Sequence, residues 1–133
     1  MRADPELARY VEGFGRPGDF GVVAHDEGRP LGAAWCRLFP RDAPGYGFVD
    51  ETTPELSIAV FAGQRGRGIG TALVEALKRE AENRRFLRLS LSVEHDNPAA
   101  ALYRRQGFQQ VGSSQGASTL LLNLPQGTRP ASR

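Results

Sequence analysis

Cysteine is almost absent from this chain of 133 residues. A single thiol, Cys36, excludes an internal disulfide and fits a reducing, cytoplasmic setting. With one cysteine and two histidines there are too few soft ligands for a zinc site, and no metal is expected. Long apolar runs are missing as well. No stretch has the length of a membrane span, and Met1-Arg2-Ala3-Asp4-Pro5-Glu6 lacks a signal peptide's apolar segment, so no membrane partner is expected. Charge of one sign is scarce: 17 basic and 15 acidic side chains leave a net +2. The arginines are scattered rather than clustered with aromatics, which argues against a nucleic-acid face.

What remains is an ordinary globular composition, 40% hydrophobic and 24% charged, and a length that suits one core. Residues 1–124 read as one domain. The tail, Pro125–Arg133, is of low complexity and is expected to be disordered.

Asp4-Pro5-Glu6 predicts a helix start, with Leu7, Tyr10 and Val11 as its apolar stripe and Gly13 as its end. Phe20–Ala24 reads as a strand, Asp26-Glu27-Gly28-Arg29 as a tight turn, and Leu31–Phe39 as the returning strand. Leu31, Ala33 and Trp35 are expected on one face of it. Pro40–Pro54 is a long loop. A strand over Glu55–Phe61 precedes a helix from Gly68 to Asn83, with Ile69, Leu73, Leu77 and Ala81 one turn apart and Glu75–Arg79 as an exposed pair. Phe86–Val93 alternates cleanly, putting Leu87, Leu89, Leu91 and Val93 on one face. Asn97-Pro98 opens a second helix that ends at Gly107, and a hairpin over Phe108–Gly112 and Thr119–Leu124 closes the chain. The expected class is α/β (α+β): a mixed sheet flanked by helices.

The run Gln64-Arg65-Gly66-Arg67-Gly68-Ile69-Gly70 is the strongest chemical signal. Glycines let a ligand approach the backbone, and the following helix aims unpaired N–H groups at the same point. Such a loop cradles phosphate. It is neither a Walker loop, because Ile69 stands where Lys is needed, nor a dinucleotide fingerprint, because Thr71 stands where the third glycine is needed.

This loop, a second motif and the element order resemble the GNAT family of N-acetyltransferases. The family's acetyl-CoA loop reads Arg or Gln, two residues, Gly, one residue, then Gly or Ala; Arg65, Gly68 and Gly70 match it. Its second signature is matched by Asn97-Pro98-Ala99, Leu102-Tyr103 and Gly107-Phe108. The resemblance implies acetyl-CoA as co-substrate and an amine of a small molecule or peptide as acceptor. The order starts late: the family's first strand and first helix are not recognisable and are expected either upstream or to be dispensable.

The resemblance implies that the diphosphate rests on backbone N–H groups of Arg65, Gly66, Arg67, Gly68, Ile69, Gly70 and Thr71. It implies a pantetheine arm along Ile58, Ala59 and Val60, with an N–H near Ile58 or Ala59 facing the thioester oxygen, and Asn97 touching the arm. Tyr103 is the candidate general acid, since a phenol holds its proton at neutral pH. Glu55 is the candidate base, with Asp50 and Glu51 as rivals. His95 is weighed as a proton shuttle against a surface role, and Cys36 and His25 as structural or exposed. The alternatives to an enzyme are a non-catalytic CoA-binding sensor or partner module and, less favoured, an RNA-binding domain. A second copy of the chain is a candidate partner.

Overall fold

The computed structural model describes residues 19–61, 63 and 68–125. Six strands and two helices follow one another as β1 (Phe20–Asp26), β2 (Arg29–Arg37), β3 (Glu55–Val60), α1 (Ile69–Asn83), β4 (Arg88–Glu94), α2 (Ala99–Arg105), β5 (Gln109–Ser114) and β6 (Ala117–Asn123). They form one mixed sheet in the order β1-β2-β3-β4-β6-β5. Only β3 and β4 run parallel; the other neighbours are antiparallel. The helix expected near residues 5–12 and the tail beyond Pro125 lie outside the described residues.

Both sequential hairpins turn on two residues at positive φ, Glu27-Gly28 and Gln115-Gly116. Two consecutive left-handed residues match the twist of the flanking strands, which is why glycine takes the second place in each. α1 lays Ile69, Leu73, Val74, Leu77 and Ala81 onto the sheet, where Leu31, Ala34, Leu56, Leu89, Leu91 and Leu120 meet them. α2 is shorter and shares this face. The Lys78 Nζ donates to the Gln106 carbonyl (3.0 Å), tying the end of α2 to the middle of α1. Glu80 and Arg84 form the i,i+4 ion pair on α1, while Glu75 accepts from Gln106 Nε2 at 3.4 Å instead of pairing with Arg79.

Two sequence expectations need correction. β4 starts at Arg88, not Phe86, and Leu87 is 61% exposed. The chain leaves α1 through Arg85 in a left-handed conformation, and Phe86 stacks on Phe20 with centroids 5.5 Å apart. Alternation begins only after that turn. On β2, Leu31 does not share a face with Ala33 and Trp35. The β1–β2 register slips there, Ala24 facing Gly32 and His25 facing Pro30, and Leu31 turns into the helix-covered core. Ala33 and Trp35 build a separate cluster with Val23, Ala59 and Phe61. Cys36 is fully buried in the main core, where desolvation pushes its thiol pKa well up, and His25 is exposed.

Candidate functional site

The centre of the sheet is where the backbone bonding fails to close. β3 pairs with β2 along its whole length, from Glu55↔Arg37 to Val60↔Gly32, but meets β4 at the single pair Glu55↔Ser90. The Ser90 N–H donates to the Pro54 carbonyl (3.1 Å), and beyond that point the two strands diverge. Alternation then decides which groups are left open. The Phe61 N–H donates to the Leu31 carbonyl (3.0 Å), so the odd-numbered residues of β3 bond to β2. The N–H and C=O groups of Ile58 and Val60 point the other way, into the gap. The N–H of Ala59 faces Ala33.

This gap is the floor of a cleft of about 1390 Å³. Its walls come from β3, the start of α1, the end of β4, α2 and the β5–β6 hairpin, with Glu55, Ile58, Ala59, Val60, Gly68, Ile69, Gly70, Thr71, Asn97 and Tyr103 all among the lining residues. Gly68 enters the helix at φ 76°, a conformation that glycine adopts without strain. Gly70 lies where α1 and α2 touch: a Cβ there would stand 3.2 Å from Leu102 Cδ2. The first turn of α1 therefore meets the cleft with its amide dipoles aligned toward it. Arg65, Gly66 and Arg67 lie outside the described residues.

Tyr103 is held by the packing of α2. Its ring is 5% exposed and meets Phe108 edge-on with centroids 5.9 Å apart. Burial pushes its pKa up to about 12, so the hydroxyl stays protonated throughout the physiological range. α2 ends in paired backbone bonds from Gly107 N–H to Arg104 and from Phe108 N–H to Tyr103, and the positive φ of Gly107 makes this cap possible. The turn therefore fixes Tyr103 and its aromatic neighbour together. At the other end, the Ala99 N–H donates to Asn97 Oδ1 (2.9 Å), leaving the side-chain amide of Asn97 free to face the cleft.

Glu55 sits on the last paired residue before the strands part. Its Oε2 accepts from the Gly47 N–H at 2.8 Å, and its Oε1 is buried without a hydrogen-bond partner among the described residues. Burial raises its pKa, and the Gly47 bond offsets only part of that. The rival carboxylates are engaged elsewhere. Asp50 accepts from the Thr52 N–H and from the Thr52 and Thr53 hydroxyls, each at 2.9 Å, and pairs with Arg88. Desolvation alone would raise its pKa, but these bonds and the guanidinium hold it below the ordinary value. Glu51 accepts from the Arg41 N–H (2.9 Å). Neither lines the cleft. His95 does not line it either; its Nε2 lies 3.2 Å from Ser113 Oγ.

The cleft also contains residues that sequence reasoning missed: Tyr46, Ser92, Glu94, Arg105, Gln115 and Thr119. Tyr46, an aromatic between two glycines in a long loop, carried a signal that could have been read. The others become neighbours only through the sheet order.

A family model described as the acetyltransferase (GNAT) family matches residues 2–108. A mycothiol acetyltransferase of Paenarthrobacter aurescens is 35% identical over 112 residues, covering 80% of this chain and 32% of that protein. An L-2,4-diaminobutyric acid acetyltransferase of Nocardia farcinica is 34% identical over 95 residues, covering 56% of this chain and 49% of that protein. The chain thus spans about a third to a half of the length of these curated relatives. A crystal structure of ribosomal-protein-alanine N-acetyltransferase from Brucella melitensis matches with a TM-score of 0.71 at 30% identity, covering 93% of this chain and 81% of that one.

Proposed function

The chain belongs to the acetyltransferase (GNAT) family, and from that premise we propose that it transfers an acetyl group from acetyl-CoA to a primary amine by direct attack within a ternary complex. The observation that carries this reading is the parting of β3 and β4 under a cleft lined by both Glu55 and Tyr103.

The cleft fits acetyl-CoA. The open backbone groups of Ile58 and Val60 suit an amide-bearing arm, as a third strand would, and the first turn of α1 suits a diphosphate. Gly68, Ile69, Gly70 and Thr71 would hold the diphosphate with Arg65, Gly66 and Arg67; Ile58, Ala59, Val60 and Asn97 would hold the arm. When bound, acetyl-CoA supplies an acyl group activated as a thioester. Each remaining requirement of acyl transfer is met by a group of the protein. The Ile58 N–H is a fixed donor for developing negative charge on a carbonyl oxygen. Glu55, directly or through one water, takes the proton that an incoming ammonium must lose. Its raised pKa keeps it basic enough to do so near neutral pH. Tyr103, protonated at working pH, gives a proton to a departing thiolate.

The relatives' names cover mycothiol, L-2,4-diaminobutyric acid and ribosomal-protein alanine. They support an amine acceptor, small molecule or peptide, without choosing one. Thiol release from acetyl-CoA in the presence of an amine panel tests the reading. Release that depends on an amine supports transfer. Binding of acetyl-CoA, seen as a rise in Tm, without release would instead support a non-catalytic CoA-binding module.

A further inference from the structure

Tyr46 is 94% exposed, an unusual state for a large aromatic side chain, and it lines the same cleft as Glu55. The loop that carries it is clamped on both sides. A Cβ on Gly45 would stand 2.3 Å from Glu55 Oε1 and 2.9 Å from the Phe39 ring. A Cβ on Gly47 would stand 2.6 Å from the Leu91 carbonyl carbon and 2.8 Å from the Ser92 nitrogen. Both glycines thus press backbone against the site, and the Gly47 N–H is the donor to Glu55 Oε2. Between them Tyr46 is held at its base while its ring stands in solvent. Among the described residues, none makes a ring contact or a hydrogen bond with it.

The cleft that Tyr46 lines carries two carboxylates and, among its described residues, one basic side chain. Glu55 and Glu94 line the cleft together with Tyr46, and the one described basic residue in the lining, Arg105, belongs to α2. Carboxylates that share a cleft with an aromatic face attract a cation into it, and the ring's quadrupole adds to their field. Glu55 is committed to the amine that reacts. Tyr46 and Glu94 remain for a second positive centre.

We propose that Tyr46 determines acceptor specificity, holding a second ammonium of a diamine against its ring at the mouth of the cleft while the first ammonium loses its proton to Glu55. This rests on the acetyl-transfer reading for the role of Glu55. The chemistry also favours turnover. Transfer turns one of the two cations into a neutral amide, so the product is held less firmly than the substrate.

The test compares 1,3-diaminopropane with propylamine on wild type, Tyr46→Ala and Tyr46→Phe, by calorimetric binding and by thiol release. Wild type should bind and acetylate the diamine preferentially. Tyr46→Ala should raise the diamine KM about 5-fold, with the effect on KM rather than kcat, and Tyr46→Phe should restore it, because the ring face and not the hydroxyl is used. Equal KM values for the two amines in wild type, an unchanged diamine KM in Tyr46→Ala, or a Phe variant as poor as Ala would overturn the proposal while leaving acetyl transfer standing. Preferential diamine binding lost in Tyr46→Ala, with no transfer to any amine, would support the Tyr46 site and overturn the transfer reading. Neither binding preference nor transfer would overturn both.

Discussion

β3 has two neighbours and treats them differently. Toward β2 it is bonded from Glu55 to Val60; Leu56, Ile58 and Val60 pack into the helix-covered core and Ala59 into the cluster on the other face, while Ser57 is exposed. Toward β4 it is bonded once and then let go. β4 in turn pairs with β6 from Arg88 to Glu94. The interruption is therefore local to one seam of a sheet that is continuous on both sides of it. Unpaired backbone groups are costly when buried. A fold that leaves Ile58 and Val60 open at its centre has a place for a ligand that bonds as a strand does. In the proposed reaction the closed seams would supply rigidity and the open one chemistry.

Changing backbone donors on the two sides of β3 separates the open edge from the closed one. Ile58→Pro removes an N–H aimed into the gap; Ala59→Pro removes one aimed at Ala33. Ile58→Pro should lower kcat by about 10²–10³-fold, the usual loss for one oxyanion donor, while circular dichroism still reports a folded sheet. Its Tm should drop moderately, since Ile58 also packs against the core. Ala59→Pro should lower Tm further, because it cuts a closed seam. If Ala59→Pro leaves Tm higher than Ile58→Pro does, the assignment of open and closed edges is wrong.

Next in size is Tyr103→Phe. The ring stays packed on Phe108 and only the hydroxyl goes. Turnover should fall about 100-fold with acetyl-CoA affinity little changed, as for an interaction made in the transition state. Wild-type turnover would make Tyr103 a packing residue alone.

These assignments were not equally legible in the sequence. The two described helices were, because Ile69, Leu73 and Leu77 repeat at helical spacing and Gly107 ends α2 in a conformation that suits glycine. The Glu27-Gly28 turn and the mixed sheet followed from similar local rules, whereas the closing hairpin was expected with a gap over 113–118 and turns instead on Gln115-Gly116. Leu31 and Leu87 misled because alternation extends through a register slip and across a helix exit, neither of which changes the residue types involved. In the sequence Glu55 ranks ahead of Asp50 and Glu51 only by its place on a strand, with the two loop carboxylates close rivals. What separates them is tertiary: Asp50 is tied to Thr52, Thr53 and Arg88, Glu51 to Arg41, and Glu55 alone lines the cleft. Thr119 reaches the cleft because β6 lies beside β4, and Glu94 because it ends the strand that parts from β3.

Glu55→Gln sharpens that ranking through its pH dependence. Below the raised pKa of Glu55 the wild-type carboxyl is itself protonated, and well above the amine's pKa no base is needed. The loss in kcat/KM should therefore be greatest between those limits, roughly 10–100-fold, and shrink on both sides. Stability gives an independent sign. The folded state favours the protonated carboxyl, so wild type should lose stability as pH rises from the ordinary carboxylate range through the raised pKa. The Gln variant should not show that decline. A loss of kcat/KM that is the same at every pH would move the base to solvent or to Glu94.

The smallest effect belongs to the closed part of the molecule and serves as its control. α1 and α2 end in the same way: in each, the residue after the cap has positive φ, and paired backbone bonds reach back to the last turn. At α2 that residue is Gly107, φ 104°; at α1 it is Arg85, φ 68°. A side chain in the left-handed region costs about 1–2 kcal/mol, and glycine there escapes the cost but gains freedom in the unfolded chain worth about 0.4–1 kcal/mol. Arg85→Gly should therefore stabilise the fold by roughly 0.5–1 kcal/mol in urea unfolding. Gly107→Ala should do the opposite, since its Cβ would also stand 3.1 Å from Leu122 Cδ1. Arg85 is exposed and lies outside the cleft, so turnover in Arg85→Gly should match wild type. If this stabilising change lowers kcat, rigidity at the closed seams and chemistry at the open one are coupled, and the division drawn between them fails.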